Sequence, residues 1–505
     1  MIKRILLGVT AGLALALALP QPAAAQHLRI GLREDPDILD PTLARTFVGR
    51  IVFAALCDKL FDIDARLQVV PQLAESYRWE DNRTLRIVLR PGLRFHDGEV
   101  LDAEAVRYSL LRHLNMQGSF RRAEISTMEA VEVVDARTVL IRLRSPSAPF
   151  VSQLTDRAGM IVSPRAAEAA GRNFGLRPVC AGPYRFVERV AQDRIVVERF
   201  PEYWNAQNIH IQRITYLPIP DSTVRLANLQ SGALEMVQTI DPDDIPAVRR
   251  NNRLRLSISD ELGWQSIQFN IGNGPRSQTP LGQDPRVREA FELAIDRAAI
   301  NQVVYEGVFA PTAQPFPPAS PFHLREVAVP SRNVERARAL LREAGVRTPL
   351  QVELTVPNNP DLRQVGEVIQ AMVREAGFDL RINAMEFASA LQAATRGEFE
   401  AFLVGWSGRV DPDGNVYTFL HSRATGNDGR YSHPEVDRLL DAARAELDPE
   451  KRRELYLQIV QQAVLRDRAR IFLWHRKNIV AHTARLSGFV AVPDGLIRPT
   501  GLRLN

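Results

Sequence analysis

The amino-acid sequence predicts a mixed α/β fold divided among two or three domains. The chain has 505 residues, which exceeds the length at which a single hydrophobic core stops growing, about 250–300 residues. Alternating apolar residues predict antiparallel strands in the first half, around 85–89 and in a hairpin at 131–143. The second half instead predicts a strand–helix–strand unit, in which 350–356 and 378–385 pair in parallel around a helix. Strands of both kinds, joined by helices, are typical of an α/β protein.

Local signals indicate where helices begin. Asp102, Asp284 and Asn333 are suited to the N-cap position, and Pro285 suits the first turn of the second of these helices. The segment 180–204 predicts another antiparallel pair closed by aromatic residues. Both helices and strands are therefore predicted along the whole chain after its first residues.

The first 25 residues have the features of a secretory signal peptide. Lys3 and Arg4 precede an apolar run over 5–19, and alanines at 23–25 provide a cleavage site after Ala25. A run of this length is too short to span a bilayer comfortably, because a membrane helix needs about 20 apolar residues. No later segment of the sequence reaches that length. We therefore expect an exported protein whose signal peptide is removed.

Composition and charge are those of a globular protein and argue against a nucleic-acid-binding protein. Hydrophobic residues make up 45% of the chain and charged residues 24%, which is ordinary for a globular protein. The formal net charge is +5, and the loss of Lys3 and Arg4 would reduce it to +3. The basic residues are mostly arginines scattered among acids, without a basic stripe that includes aromatic residues. We therefore predict no nucleic-acid partner.

Signatures of catalysis and of metal binding are weak. The stretch around Ser407 lacks the second glycine of a G-x-S-x-G nucleophile motif, so Ser407 is interpreted as a polar loop residue. His96-Asp97-Gly98 resembles a dyad, but its surroundings favour a structural turn. The remaining histidines do not have metal-ligand spacing. A secreted hydrolase with paired carboxylates is the rival hypothesis, and no second acidic pair that would support it is recognisable.

The segment 405–415, GWSGRVDPDGN, is the most informative candidate for a binding site. Gly408, Pro412 and Gly414 argue against a regular helix in it. The segment leaves the end of a buried strand, EAFLVGW, and ligands of α/β proteins collect at the carboxyl ends of strands. We therefore expect it to face a ligand.

Four longer stretches resemble a known family. They are LRPGLRFHDGEVLDAEAVRYSLLRHL, CAGPYRF with the YW that follows it, DPRVREAFELAIDRAAI, and HPEVDRLLDAARAELDPEKRRELYLQIVQQ. Together they resemble the extracytoplasmic solute-binding proteins of ABC importers, in particular the peptide/nickel group called family 5. The resemblance runs in order from about Leu28 to the C-terminus. It implies a periplasmic, monomeric binding protein that delivers its ligand to a membrane permease, without catalysis or cofactor. No metal site is predicted from the histidine spacing, and the family resemblance alone leaves direct nickel ligation open.

The resemblance also implies a fold and its boundaries. The expected fold is α/β, the two-lobed periplasmic-binding-protein fold of type II, with an extra subdomain inserted in the first lobe. Its lobes are joined by a hinge of crossing strands, expected near SISDELGWQSIQFN and RIFLWHRKN. Carried onto this chain, the expected parts are a first ligand lobe (26–53, 173–260 and 478–505), an inserted subdomain (54–172) and a second ligand lobe (261–477).

The resemblance implies roles for residues in and near the 405–415 segment. Dipeptide-binding members use an aspartate after a Gly-Trp pair to bind the ligand's α-amino group, which favours Asp411 here. The spacer of this sequence allows Asp413 to take that role instead, and turn formation alone explains both aspartates equally simply. Trp406 and Trp264 are candidates either for ligand contact or for packing. Asn270 is a candidate either for binding a peptide backbone or for capping, and no arginine can be selected for a ligand carboxylate.

The ligand and the two cysteines complete the expectations. The family resemblance favours a short peptide-like solute, with a nickel chelate, an opine or an oligosaccharide as alternatives. In an exported protein, two cysteines are consistent with one disulfide, and two buried thiols are the alternative. The family's first-lobe elements converge near Cys57 and Cys180, so we predict that these two residues are joined.

Overall fold

The structure is a computed structural model that describes residues 26–505. The predicted signal peptide, with its cleavage site after Ala25, lies outside the described residues. Within 26–505 no helix is both long and apolar enough to cross a membrane. Each of the three largest hydrophobic cores belongs to a different sheet. The prediction of an α/β protein with several cores is therefore confirmed.

The first ligand lobe is built on a seven-stranded mixed sheet. The strand His27–Leu32, which comes first in the chain, pairs in parallel with the strands on both sides of it. The antiparallel pair predicted from 180–204 lies at one edge of the sheet. In spatial order the strands are Leu254–Asp260, Lys477–Thr483, Met236–Val237, His27–Leu32, Arg213–Pro218, Arg194–Arg199 and Tyr184–Val190. The helices of this lobe are Phe47–Leu56, Ser222–Ser231 and Ile245–Arg250.

The second ligand lobe is built on a six-stranded sheet. The predicted strand–helix–strand unit is confirmed, since Leu350–Pro357 and Phe378–Met385 pair in parallel around the helix Pro360–Ala376. In spatial order the strands are Ala310–Pro311, Arg470–His475, Trp264–Phe269, Ala401–Trp406, Leu350–Pro357 and Phe378–Met385. The other α-helices are Pro280–Gln283, Pro285–Leu293, Arg297–Tyr305, Val334–Glu343, Phe387–Thr395, Asp413–Leu420, Pro434–Ala445 and Pro449–Ile459.

The inserted subdomain is a four-stranded antiparallel sheet covered by helices. The predicted hairpin is present, with Met128–Asp135 paired to Thr138–Leu143. The strand order is Ala74–Asp81, Thr84–Leu89, Thr138–Leu143 and Met128–Asp135, and the helices are Ala103–Asn115, Phe150–Gln153 and Pro164–Ala170. Two short pairs complete the strands, Phe61–Ile63 with Val69–Pro71 and Leu486–Ser487 with Arg503–Leu504.

The polar residues predicted to start helices do so through their side chains. Asp102 accepts a hydrogen bond from the backbone N–H of Ala105, and Asn333 accepts one from Arg336. Asp284 caps the helix that opens with Pro285. These bonds satisfy N–H groups that a helix cannot satisfy internally, which is why the sequence signal was reliable.

The chain crosses between the two ligand lobes twice, at the places the sequence suggested. The strand Leu254–Asp260 of the first sheet continues through residues 261–263 into the strand Trp264–Phe269 of the second sheet. The return passes through Arg476, between the strands Arg470–His475 and Lys477–Thr483. We call residues 261–263 and Arg476 the two crossing segments. Any cleft between the lobes therefore lies beside these two short, adjacent segments.

Cys57 and Cys180 form a disulfide, as predicted, with their Cα atoms 4.9 Å apart. His96 holds the same region: its backbone N–H donates to Cys180, and its Nε2 bonds the carbonyl of Gly182 at 3.0 Å. Burial lowers the pKa of His96 to about 4, so the ring is neutral at neutral pH. These contacts agree with the structural interpretation of His96-Asp97-Gly98.

The domain bounds remain predictions, although the sheets separate close to them. One bound, between 53 and 54, falls inside the helix Phe47–Leu56. Residues of this helix on both sides of the bound, together with Cys57, pack into the core of the first lobe. The buried surface of a helix continues through its last turn, so a bound after Cys57 agrees better with the packing.

Candidate functional site

A cavity lies between the lobes beside the two crossing segments, and we call it the outer chamber. It is partly open to solvent. Arg33 and Glu34 line it from the first lobe, and Asp361 and Trp406 line it from the second. Both Arg33 and Glu34 directly follow the strand His27–Leu32, in agreement with the tendency of ligands to gather at strand ends.

Glu34 differs from the other acidic residues of the outer chamber because it has no partner. Asp361 lies 3.8 Å from Arg33, and Glu261 forms two hydrogen bonds with Arg476. Asp241 has no ion pair but accepts a hydrogen bond from Ser222. Among residues 26–505, Glu34 has neither a side-chain hydrogen bond nor an ion pair within 4.0 Å. Burial raises the pKa of Glu34 to about 7, although Arg33 and Arg476 act in the opposite direction. A cation placed beside this carboxylate would restore its ordinary ionisation.

Glu261 and Arg476 join the two crossing segments. Arg476 Nη2 lies 2.7 Å from Glu261 Oε1, Nε lies 2.9 Å from Oε2, and the backbone N–H of Glu261 donates to the Arg476 carbonyl at 3.2 Å. Both side chains line the outer chamber. A bidentate pair of this kind fixes geometry as well as charge, so the wall beside the ligand and the connection between the lobes share the same two residues.

A smaller cavity, which we call the inner chamber, adjoins the first one. Arg45, Phe387, Gly405 and Trp406 line both chambers, and Trp264 lines the inner one. The two tryptophans are register partners on adjacent strands, and both rings form T-shaped contacts with Phe419, at 4.9 and 5.1 Å between centroids. Both tryptophans therefore pack together and also form chamber wall.

Contacts across the cleft join the lobes in this conformation. Arg45 of the first lobe lies 2.5 Å from Asp428 of the second, and Arg50 donates to Ser407 at 2.9 Å. Asn359 of the second lobe donates to the carbonyl of Arg33 at 3.2 Å. Ser407 therefore serves as a hydrogen-bond acceptor between the lobes, in agreement with its interpretation as a polar loop residue.

The 405–415 segment is partly helical, which corrects the expectation that it contains no helix. The helix Asp413–Leu420 begins inside it and includes Gly414. Pro412 occupies the N-cap position, where a missing N–H costs nothing because the first helical N–H groups have no internal partner. Asp411 accepts from the backbone N–H of Asp413 at 2.9 Å and so starts this turn.

Glycines allow the segment to pack backbone-to-backbone against the first crossing segment. A Cβ on Gly263 would lie 1.8 Å from the carbonyl oxygen of Trp406. A Cβ on Gly408, whose φ is +73°, would lie 2.4 Å from the carbonyl oxygen of Leu262. No other residue fits at such distances, since real Cβ contacts are longer. The Gly-Trp-Ser-Gly stretch therefore serves the connection between the lobes as well as the chamber wall.

The structure does not place Asp411 or Asp413 where a ligand ammonium would meet them. Asp411 accepts two 2.7 Å hydrogen bonds from Arg452. Asp413 accepts bonds of 3.0 and 2.6 Å from Arg444, and a third from Gln153 at 3.1 Å. Neither aspartate lines either chamber. Two arginines distant in sequence neutralise them, so the geometry does not support the predicted ammonium partner at Asp411 or its alternative at Asp413.

The hydrogen bonds of Asn270 favour capping over the binding of a peptide backbone, the two roles considered for it. Its side-chain amide donates to the carbonyls of Asn273, Gly397 and Phe399 at 2.9–3.2 Å. The residue is fully buried and lines neither chamber. Its hydrogen bonds close a turn at the end of the strand Trp264–Phe269, so none remains for a peptide backbone.

Comparison with known proteins identifies the family. A sequence profile of bacterial extracellular solute-binding proteins, family 5 (middle region), matches residues 68–427. The chain belongs to this family. It is an extracytoplasmic solute-binding protein of an ABC importer and not an enzyme, so the predicted fold, role and absence of catalysis are confirmed.

Individual relatives cover almost the whole solute-binding protein. The glutathione-binding protein GsiB of Pectobacterium atrosepticum is 29% identical over 501 residues, which is 97% of this chain and 96% of the relative. Among solved structures, AgaA of A. tumefaciens R10 in complex with agropinic acid has a TM-score of 0.87 at 24% identity, covering 95% of this chain and 99% of that one. The Escherichia coli murein tripeptide binding protein MppA has a TM-score of 0.88 at 21% identity, covering 95% and 99%.

Sequence reasoning missed several residues that form the chambers of this solute-binding protein. Glu34 and Arg33 follow a strand end, the same signal that drew attention to 405–415, but no further sequence pattern distinguishes them. Arg470 stands at the start of the apolar strand RIFLWH, and a cation in such a strand indicates a buried charge. Within 26–505, no group of three or more histidine, cysteine or acidic residues is arranged to hold a metal ion.

Proposed function

We propose that this protein captures a short, peptide-like solute in the outer and inner chambers and delivers it to the membrane permease of an ABC importer. Glutathione is the first candidate, because relatives that match nearly end to end are named for binding it. Glutathione carries one ammonium group and two carboxylates. The observation that carries the proposal is Glu34, a carboxylate of the outer chamber with neither a side-chain hydrogen bond nor an ion pair among the described residues, beside an inner chamber lined by four guanidinium groups.

Glu34 is the proposed partner of the solute's ammonium group. It faces the outer chamber without a protein partner among the described residues, and its raised pKa reports the burial that a cation would offset. In a closed cleft the local dielectric is low, so one opposite charge contributes more than it does on the surface. Trp406 forms the adjoining wall and would exclude water from this pair. Trp264 is proposed to contact the solute from the inner chamber.

We further propose that the protein works in the periplasm as a monomer, after removal of residues 1–25, and that it binds no nucleic acid. The Cys57–Cys180 disulfide supports an oxidising compartment. The scattered distribution of basic residues argues against a nucleic-acid surface. Light scattering of the mature chain at micromolar concentration is expected to give the mass of one chain with and without ligand.

A binding panel tests the class of solute. The mature chain, freed of carried-over ligand by unfolding and refolding, is tested by thermal shift against glutathione, di- and tripeptides, a nickel–histidine chelate, agropinic acid and oligosaccharides. A ligand at 100 times its Kd adds about 2.7 kcal/mol of stability, so a genuine ligand gives a clear shift. We expect shifts with glutathione or other short peptides, which mass spectrometry recovers intact. A shift confined to the nickel chelate or to the oligosaccharides would contradict the proposal, and so would cleavage of the peptides.

A further inference from the structure

Basic residues dominate the charged lining of the inner chamber. Four guanidinium groups line it, from Arg45, Arg121, Arg157 and Arg470, against two carboxylates. Both carboxylates are already used, because Asp428 pairs with Arg45 at 2.5 Å and Glu124 pairs with Arg121 at 2.6 Å. The chamber therefore has an excess of two positive charges.

The residues behind the chamber lining do not supply the missing negative charge. Arg157 shares a single carboxylate, Asp156, with Arg50 and Arg409, at distances of 3.3, 2.6 and 3.3 Å. One carboxylate among three guanidinium groups leaves this neighbouring cluster positive as well. The nearby cluster thus adds to the positive potential of the chamber.

Arg470 is the least compensated of these cations. It is 2% exposed, and among residues 26–505 its one side-chain hydrogen bond goes from Nη1 to Ser266 Oγ at 2.8 Å. No carboxylate of the described chain lies within 4.0 Å of it. Its guanidinium carbon lies 4.8 Å from the ring centroid of Trp264 and 5.2 Å from that of Phe419. Burial lowers the pKa of Arg470 to about 9, which reflects the cost of an uncompensated charge.

The unpartnered polar groups of the chamber lining are mostly hydrogen-bond donors. Arg157 Nη2, Arg121 Nε and Trp264 Nε1 are buried without partners, against one acceptor, Glu124 Oε2. Gln268 is the register partner of Arg470 on the neighbouring strand and lines the same chamber. The three donors have almost no exposed surface, so they contribute positive potential behind the lining, and Arg470 and Gln268 are the groups placed to contact a bound group. A group that only accepts hydrogen bonds and carries negative charge fits this lining.

We propose that the inner chamber is an anion subsite in which Arg470, together with Gln268, receives a carboxylate group of the solute. This rests on the proposed function, and it adds a second fixed point to the solute. The ammonium group lies at Glu34 in the outer chamber, and the carboxylate passes Trp406 into the inner one. A neutral or purely cationic solute would leave Arg470 uncompensated, so the subsite selects zwitterionic and acidic peptide-like compounds.

Calorimetric titration of wild type and variants with glutathione and its two mono-amides tests the subsite. One amide blocks the glycine carboxylate and the other blocks the γ-glutamyl α-carboxylate. On the wild type, one of the two amides is expected to bind at least about thirtyfold more weakly than glutathione, because Arg470 loses its charge partner. Arg470→Gln is expected to bind glutathione about thirtyfold more weakly or worse, and to discriminate that amide by less than about threefold.

Controls keep the outcomes distinct. Arg276→Gln removes an exposed charge of the same lobe that lines neither chamber, and it is expected to behave like the wild type. If Arg470→Gln does not fold, Arg470→Lys retains the charge and is expected to keep the discrimination between acid and amide. Both amides binding the wild type as tightly as glutathione would overturn the subsite while leaving the proposed function intact, and so would equal discrimination by wild type and Arg470→Gln. Failure of glutathione and of every panel peptide to bind the wild type would overturn the proposed function, and the subsite with it.

Discussion

Asp411 and Asp413, in the 405–415 segment, have arginine partners that neutralise their charge. Glu34, in the outer chamber, has no such partner among the described residues. All three follow a strand whose end faces the cleft. The partners of the two aspartates, Arg452 and Arg444, are supplied by helices later in the second lobe. A carboxylate with a buried guanidinium partner stabilises the fold, whereas one without a partner is available for a ligand.

The comparison explains why charge alone did not locate the site in the sequence. A carboxylate after a strand end is visible in the sequence, but its partner is not. Arg452 lies 41 positions after Asp411, and Arg444 lies 31 positions after Asp413. Only the packing of the helices Pro434–Ala445 and Pro449–Ile459 brings these cations to the segment. The predictions below separate the two kinds of carboxylate.

The largest expected effect is the loss of stability in Asp413→Asn. The change leaves Arg444, which is buried, without its charge partner, and breaking a buried pair costs about 3–5 kcal/mol. Asp411→Asn is expected to cost somewhat less, because the side chain of Asp411 is 13% exposed. Urea denaturation measures both free energies of unfolding. A cost below about 1 kcal/mol for Asp413→Asn, the size of an exposed ion pair, would show that its pair does not stabilise the fold.

Removal of the disulfide is expected to cause the next largest loss of stability, and it changes residues that lie outside the chambers. Cys57→Ser/Cys180→Ser opens a crosslink between residues 123 positions apart, and the loss of a native disulfide costs about 2–5 kcal/mol. Neither cysteine lines a chamber, so affinity for the solute measured well below the unfolding temperature should equal that of the wild type. A large loss of affinity in the folded double variant would link this region to the site.

Glu34→Gln is expected to weaken binding without destabilising the protein. Its glutathione affinity should fall by about thirtyfold or more, because the ammonium group loses its opposite charge. The folded-state pKa of Glu34, about 7, exceeds the ordinary value of 4.5, so its contribution to stability declines as pH rises through this range. At about pH 8 the apo variant should therefore unfold at the same temperature as the wild type or higher. A lower unfolding temperature with unchanged affinity would make Glu34 a structural residue like Asp413.

The pH dependence of affinity should be specific to Glu34 and should not exceed the loss caused by Glu34→Gln, because protonation and the substitution both leave a neutral side chain. Burial, Glu386 and Asp37 raise the pKa of Glu34, and Arg33 and Arg476 lower it, with a net value of about 7. Only the ionised form pairs with an ammonium group, so affinity should fall by up to about tenfold per pH unit below this value. Titrations from about pH 8 to pH 5 measure this slope. Glu34→Gln is the control and should lack it, and the same slope in the variant would assign the titration to another group.

The sequence predicted the fold more completely than the site, for a physical reason. Apolar periodicity, N-caps such as Asp102, and the long stretches shared with the family determine elements locally, and these predictions were confirmed. The roles of Asp411 and Asn270 depended on which distant groups satisfy their hydrogen bonds, and Asn270 is satisfied by three carbonyls of its own surroundings. The importance of Glu34 and Arg470 depends on the absence of such partners. Absence of a partner is a property of packing and is not encoded in a local pattern.

The central claim is that the ammonium group of the solute binds Glu34 and not the 405–415 segment. The most direct test is the ratio of dissociation constants for N-acetylated and free glutathione, measured by calorimetry on wild type, Asp411→Asn and Glu34→Gln under conditions in which all three are folded. Acetylation removes the ammonium charge, so the ratio should be about thirty or more for the wild type and for Asp411→Asn, and near one for Glu34→Gln. A ratio that falls to near one in Asp411→Asn and stays high in Glu34→Gln would contradict the claim.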